Sequence, residues 1–256
     1  MDIRSLRKRD ELLGKTFKTN KCGECVVVEY TNNRNVKIEF LSPSYTTKCN
    51  LEDLKRGKAY NPLYPTLYGK GCIGVGKYSS SNKEAYSLWL GIFKRVCDLE
   101  YHKRQPTYSS VTICDEWLNF QNFAEWCYSQ KFFNAKDDRG NPYQLDKDFL
   151  SSDKKVYSPE TCCFIPSCIN KLLQPTRCDK LELPTGVSLS KRTSKFLSYL
   201  NRFGKRVHLG YHPTCEEALN TYSREKELYV KEVAEVWKGR IDEKIYNILI
   251  DWQVER

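Results

Sequence analysis

Along this chain the spacing of apolar residues changes period, and that change limits the fold more than any single motif. From Leu13 to Leu54 apolar and polar residues alternate, as in Cys25-Val26-Val27-Val28-Glu29-Tyr30 and Val36-Lys37-Ile38-Glu39-Phe40, with Asn32-Asn33-Arg34-Asn35 between them as a turn. A period of two puts successive side chains on opposite faces of a strand, so this segment is expected to form a β-hairpin. With Thr16-Phe17 before it and Tyr45 to Asn50 after it, residues 1–58 are read as a small five-stranded β-barrel. After Ser81 the apolar residues recur at three and four instead, which is the helical spacing. A chain that uses both periods in different stretches is expected to be α+β.

Residues 59–80 are read as a linker, because Tyr60-Asn61-Pro62-Leu63-Tyr64-Pro65 and four glycines between Gly69 and Gly76 interrupt any regular pattern. The glycine spacing matches neither the Walker loop nor the dinucleotide fingerprint. Residues 81–180 open with Ser81-x-x-Glu84, a capping box, followed by Tyr86, Trp89, Leu90, Phe93 and Cys97 on one helical stripe. A second helix is expected over Asp115 to Tyr128, with Trp117, Phe120, Ala124 and Cys127 inward, and Leu145 to Leu173 reads as short and irregular. In residues 181–256 two alternating runs, Lys195 to Asn201 and Lys205 to Leu209, are joined by Phe203-Gly204, and with Val187 they imply three strands. Thr214-x-x-Glu217 then caps a long helix through Ala218, Tyr222, Tyr229, Val233 and Trp237, and a last helix runs from Asp242 to Trp252.

No stretch of the 256 residues approaches the eighteen apolar residues of a membrane span, and Met1 to Lys15 lacks the apolar middle of a secretory signal, so a cytoplasmic protein is expected. The twelve cysteines then read as reduced thiols. Cys22-Gly23-Glu24-Cys25 has a zinc-like spacing, yet no second pair completes four ligands. Cys114, Cys127, Cys162, Cys163, Cys168 and Cys178 likewise lack such knuckles and read as packing residues.

Lys and Arg number 42 against 32 Asp and Glu, a net charge of +10, which favours a polyanionic partner. The excess is concentrated where it is most informative. Between Val187 and His208 stand Lys191, Arg192, Lys195, Arg202, Lys205 and Arg206, and no carboxylate. Alternation would let Tyr199, Asn201, Arg206 and His208 share an open sheet face, where Arg and Asn reach base edges and Lys holds phosphates. A solvated basic hairpin is the plainer reading of the same residues.

Gly186-Val187, Lys195-Phe196, Arg206-Val207-His208-Leu209-Gly210-Tyr211, Thr214-x-Glu216-Glu217-Ala218 and Tyr222 together resemble the APETALA/ethylene-response-factor DNA-binding domain. The resemblance implies a three-stranded sheet packed on one helix and lying in the major groove of double-stranded DNA. It places the groove-facing positions at Ser188, Ser190, Tyr199, Asn201, Arg206 and His208. Of these, Arg206 keeps the arginine that the plant domains favour, whereas Ser188 and Asn201 replace arginines and His208 replaces a tryptophan, so the family's target sequence does not carry over.

Upstream, Trp117-Leu118-Asn119-Phe120-Gln121-Asn122-Phe123, Leu145-Asp146-Lys147-Asp148 and Tyr157-Ser158-Pro159-Glu160-Thr161-Cys162 resemble the phage-encoded HNH endonuclease-like proteins, many of which join such a module to the same groove-reading domain. The resemblance implies a ββα unit with a histidine base, a middle asparagine and a final histidine or asparagine around a divalent cation such as Mg2+. Those positions fall on Lys147, Thr161 and Asn170, with Asp146 before the base. Asp146 and Asn170 would be the remnants of a metal site. No histidine lies between His102 and His208 to replace the base. The plain reading of Asp146-Lys147-Asp148 is an ion-paired turn.

The leading expectation is a phage-type, sequence-recognising DNA-binding protein of homing-endonuclease architecture with a degenerate nuclease centre, at work in a bacterial host cytoplasm. An active metal-dependent nicking enzyme is the first alternative. A non-enzymatic regulator binding DNA and a host or phage protein is the second, and RNA binding through the N-terminal segment a third. The sequence does not fix the oligomeric state.

Overall fold

A computed structural model describes residues 3–151, 154–173 and 183–254. Cys178 and the expected boundary at residues 180/181 lie outside the described residues. The order of elements is α1 (Ile3–Leu12), β1 (Thr16–Lys18), β2 (Glu24–Asn32), β3 (Asn35–Leu41), β4 (Ser44–Cys49), α2 (Leu51–Lys55), α3 (Lys83–Cys97), α4 (Leu99–Arg104), β5 (Thr112–Ile113), α5 (Phe120–Ser129), β6 (Gln144–Asp146), β7 (Val156–Tyr157), β8 (Cys163–Ile165), α6 (Ser167–Leu172), β9 (Val187–Leu189), β10 (Phe196–Arg202), β11 (Lys205–His212), α7 (Cys215–Trp237) and α8 (Glu243–Asp251). The fold is α+β. By internal contacts the chain divides into two units, residues 1–130 with 154–159, and residues 131–153 with 160–256.

In the first unit the period-two segment forms an antiparallel sheet of order β1-β2-β3-β4. It is open, and the described residues form no closed barrel, which corrects the five-stranded barrel expected above. After β4 the chain turns into α2, whose N-cap Asn50 accepts a hydrogen bond from the Asp53 amide, so no further strand is available to bridge the edges. Helices cover the apolar face instead. Leu12 of α1 and Leu51 and Leu54 of α2 are buried with Cys25, Val27, Tyr30, Val36, Ile38 and Phe40.

The stretch 59–80 carries no helix or strand but is closely packed. A Cβ on Gly74, which sits at φ +76°, would lie 2.0 Å from Asn119 Oδ1, and Gly71 abuts the Phe93 ring. The Ser81-Glu84 capping box does not form. Asn82 is the N-cap of α3 without a side-chain bond to the helix, because its Oδ1 accepts from the Ser79 amide at 2.9 Å. The second helix begins later than the apolar spacing suggests: Asp115–Leu118 is a 3-10 turn, and α5 starts at Phe120 behind the N-cap Asn119. Trp89 of α3 donates its indole N–H to the Trp117 carbonyl at 2.7 Å and so ties α3 to the 3-10 turn.

In the second unit β6 and β8 pair antiparallel, Asp146 opposite Cys163. Here β9, β10 and β11 form a three-stranded antiparallel sheet of order β11-β10-β9. One face of this sheet packs on α7, which buries Ala218, Tyr222, Tyr229, Val230, Val233, Ala234 and Trp237, and α8 adds Ile245 and Leu249. The Lys226 ammonium of α7 donates to the Leu172 carbonyl at 2.7 Å, tying the end of α6 to the long helix. No helix among the described residues is long and apolar enough to cross a membrane.

Candidate nucleic-acid interface

The faces of the β9–β11 sheet follow from its register. Tyr199 pairs with His208, Asn201 with Arg206, and Leu197 with both Ser188 and Tyr211. Directly opposed residues on neighbouring strands share a face, so Ser188, Tyr199, Asn201, Arg206 and His208 stand together on one side. Residues of the other parity turn toward α7: Ser198 and Leu200 are buried beneath it. A bulge between Ser198 and Tyr199 shifts the register, and Leu209 takes no partner there, which is why His208 and Tyr211 end up side by side. Their rings meet edge to face at 4.9 Å.

The open face is cationic and aromatic at its centre. The Arg206 guanidinium carbon lies 3.6 Å from the Tyr199 ring centroid, a stacked cation–π contact that holds a planar fork of N–H donors at the surface. Asn201 and Arg206 are exposed, and so is His208. Lys191, Arg192 and Lys195 are exposed on the β9–β10 connection, with Ser190 at its start, where the Ser190 amide donates to the Lys195 carbonyl. Lys205 is exposed beside Arg206.

Arg202 is placed differently from the rest. Its parity is that of Leu200, and its guanidinium forms an ion pair with Glu232 of α7 and lies 5.6 Å from the centre of the Tyr229 ring. It braces the sheet against the helix and is not part of the open face.

The second candidate site sits on β6 and the turn after it. Asp146 Oδ1 accepts the Asp148 and Phe149 amides at 3.0 and 2.8 Å. Burial pushes the Asp146 carboxyl above the usual carboxylate range, while those two amide bonds pull it back. Lys147 is 8% exposed and forms an ion pair with Asp148. Asn170 donates to Gln144 Oε1 at 3.2 Å, so it is tied to the beginning of β6 and Asp146 stands at its end. Thr161 is buried, with its hydroxyl 3.8 Å from the Cys162 sulfur. His102 Nε2 is 2.7 Å from the Arg95 carbonyl oxygen, a local contact between α4 and α3.

These residues do not fit a divalent cation. A buried ammonium adjoins Asp146 and neutralises Asp148, Asp146 Oδ1 is committed to two backbone amides, and among the described residues no three His, Cys, Asp or Glu side chains are grouped to hold a metal.

No family model, curated protein or solved structure matches this chain.

The sheet therefore has to be understood from its own chemistry. Two residues of its surface carried no signal of charge. Tyr211 comes beside His208 because of the bulge, which nothing in the sequence marks. Phe203 stands at the hairpin tip and is 58% exposed. Its signal was the Phe-Gly pair itself, an aromatic at a position that turns usually fill with Asn, Asp or Gly.

Proposed function

We propose that this protein binds duplex DNA through the open face of β9–β11 and reads sequence there, and that the Asp146–Asn170 segment is a degenerate HNH-like ββα module without cleavage activity. The observation that carries the reading is the cross-strand group of Arg206 stacked on Tyr199, with Asn201 and His208 opposite them, on a face that faces away from α7. Arg offers two N–H groups to guanine O6 and N7, and Asn pairs in the same bidentate manner with adenine N6 and N7. Exposed Lys191, Arg192 and Lys195 on the β9–β10 connection, and Lys205 at the hairpin end opposite Arg202, suit phosphate contacts that fix register. The absence of any carboxylate between Val187 and His208 removes the repulsion that would oppose a phosphate backbone.

The non-cleaving part rests on Lys147. A lysine ion-paired to Asp148 stands where the HNH resemblance calls for a histidine base, and that pairing engages the one nitrogen the side chain has. Incubating the purified protein with supercoiled and linear duplexes, with and without Mg2+ or Mn2+, reads binding and strand breaks together. Firm binding without breaks is the expected result. Metal-dependent nicks that vanish in Asp146→Ala would make it an endonuclease with an unusual base, and failure to retain any duplex would remove the reading of the sheet.

A further inference from the structure

The open face of β9–β11 changes character along its length. Asn201 and Arg206 make its polar end, next to the Tyr199–His208 pair. Beyond that pair, Leu197 of β10 stands opposite Ser188 of β9 on one side and Tyr211 of β11 on the other, so a row of three residues crosses the whole sheet. Leu197 has the phase of Tyr199 and Asn201, which turns it away from α7. Tyr211 reaches this row through the bulge. Regular alternation after His208 would send position 210 to the open side and position 211 to the helix. With Leu209 unpaired, Gly210 instead lies opposite the buried Ser198, and the Tyr211 ring comes up against His208 at 4.9 Å. The backbone at Gly210, φ +139°, is one that residues with a side chain rarely adopt, so the glycine permits this turn of phase. The Tyr211 ring remains 44% exposed. An uncharged and largely apolar strip therefore closes one end of a face whose other end offers Arg and Asn.

We propose that Leu197 and Tyr211 form a thymine-reading subsite, their apolar surface packing on the 5-methyl group of a thymine in the major groove. The inference rests on the reading of this sheet as a groove-binding face. Of the groups that base edges present in the major groove, the thymine methyl is the apolar one. A cytosine amino group or a guanine O6 set against the Leu197 side chain would lose its water without gaining a partner, which adds discrimination against a G·C pair at that step. Four residues of β10 separate Leu197 from Asn201, about 13 Å along the strand. The base pair sensed at this end should therefore differ from the one whose preference Arg206 sets.

A duplex site is first selected from a random pool with the wild-type protein, and its thymines are then replaced one at a time by uracil, which removes only the methyl group. At one position wild-type binding should weaken about four-fold, the value of one buried methyl. Tyr211→Ser should bind the thymine duplex correspondingly less well and be indifferent to uracil at that position. Tyr211→Phe should keep the wild-type difference, because it keeps the ring. Equal binding of wild type to the thymine duplex and to every uracil duplex overturns the proposal, and that comparison depends on no variant folding. So does a Tyr211→Ser protein that retains the four-fold loss, or a Tyr211→Phe protein that weakens on all duplexes alike, which would make the hydroxyl a phosphate contact. Arg206→Ala separates the two readings: if it weakens the selected site while wild type binds thymine and uracil duplexes equally, the face reads DNA and the Leu197–Tyr211 strip does not touch it. If the wild-type protein selects no duplex, both fall.

Discussion

Arg202 and Arg206 stand four residues apart on one hairpin and have opposite surroundings. Arg202 lies on the helix side with Glu232, and Arg206 lies on the open side against Tyr199. Arg206→Ala should relax specificity at one base pair at a cost of roughly 1–3 kcal/mol, measured by competition between sites that differ there. Arg202→Ala should leave base preference unchanged and lower stability by less than about 1 kcal/mol, because its pair is partly solvated. The parity of β10 already distinguishes these arginines, since Arg202 shares the phase of Leu200 and Arg206 pairs with Asn201. The bulge that sets His208 beside Tyr211 has no such signature. At the other candidate site, Asp146 carries a carboxyl whose folded pKa is raised mainly by burial. Its contribution to stability is therefore fullest below the ordinary carboxylate pKa and declines as pH rises through the raised folded value. Asp146→Asn keeps an acceptor for the Asp148 and Phe149 amides while removing that titration, so its denaturation midpoint should fall less between acid and neutral pH than that of wild type. Asp146→Ala leaves both amides without this acceptor and should be less stable than Asp146→Asn by about 1–3 kcal/mol in urea unfolding.

Strands and helices differ in how plainly the chain announces them. The long helix α7 was legible from Thr214 and Glu217, and Thr214 Oγ1 does accept the Glu217 amide at 3.2 Å. Thr214→Ala should lower stability by about 1 kcal/mol. The Ser81-Glu84 pair has the same pattern and no such cap, because α3 starts one residue later, behind Asn82. A local motif specifies a helix start only when the chain enters the helix in its register. The open N-terminal sheet shows the complementary limit. Alternation in Cys25 to Tyr30 and Val36 to Phe40 reveals that one face is buried, but not whether further strands or the helices α1 and α2 bury it. The close seat of the C-terminal sheet on α7 was also beyond the pattern. Gly186 sits at φ +81°, and a Cβ there would fall 2.0 Å from the Tyr222 ring. Gly186→Ala should therefore destabilise the protein by about 3 kcal/mol, combining overpacking with a left-handed alanine, and thermal melting reads it directly.

Taken as a polyelectrolyte, the whole chain carries +10, yet the four exposed cations assigned above to phosphates, Lys191, Arg192, Lys195 and Lys205, bear on duplex binding more than the total does. If each neutralises one phosphate and displaces its counterion, the logarithm of the binding constant should fall with the logarithm of salt concentration with a slope of about −3.6. Lys205→Ala should reduce that slope by about one while weakening every duplex alike. A structured RNA that competes equally at the same salt would show that the cations, and not the groove-facing side chains, select the partner. A different consequence follows from the N-terminal sheet being open. A closed barrel has no rim, whereas β4 is an edge strand whose outward peptide groups can template a strand from another molecule. Lys48 stands exposed on that rim, and a second copy pairing there through its own β4 would bring its lysine onto the same seam, a charge that disfavours such stacking.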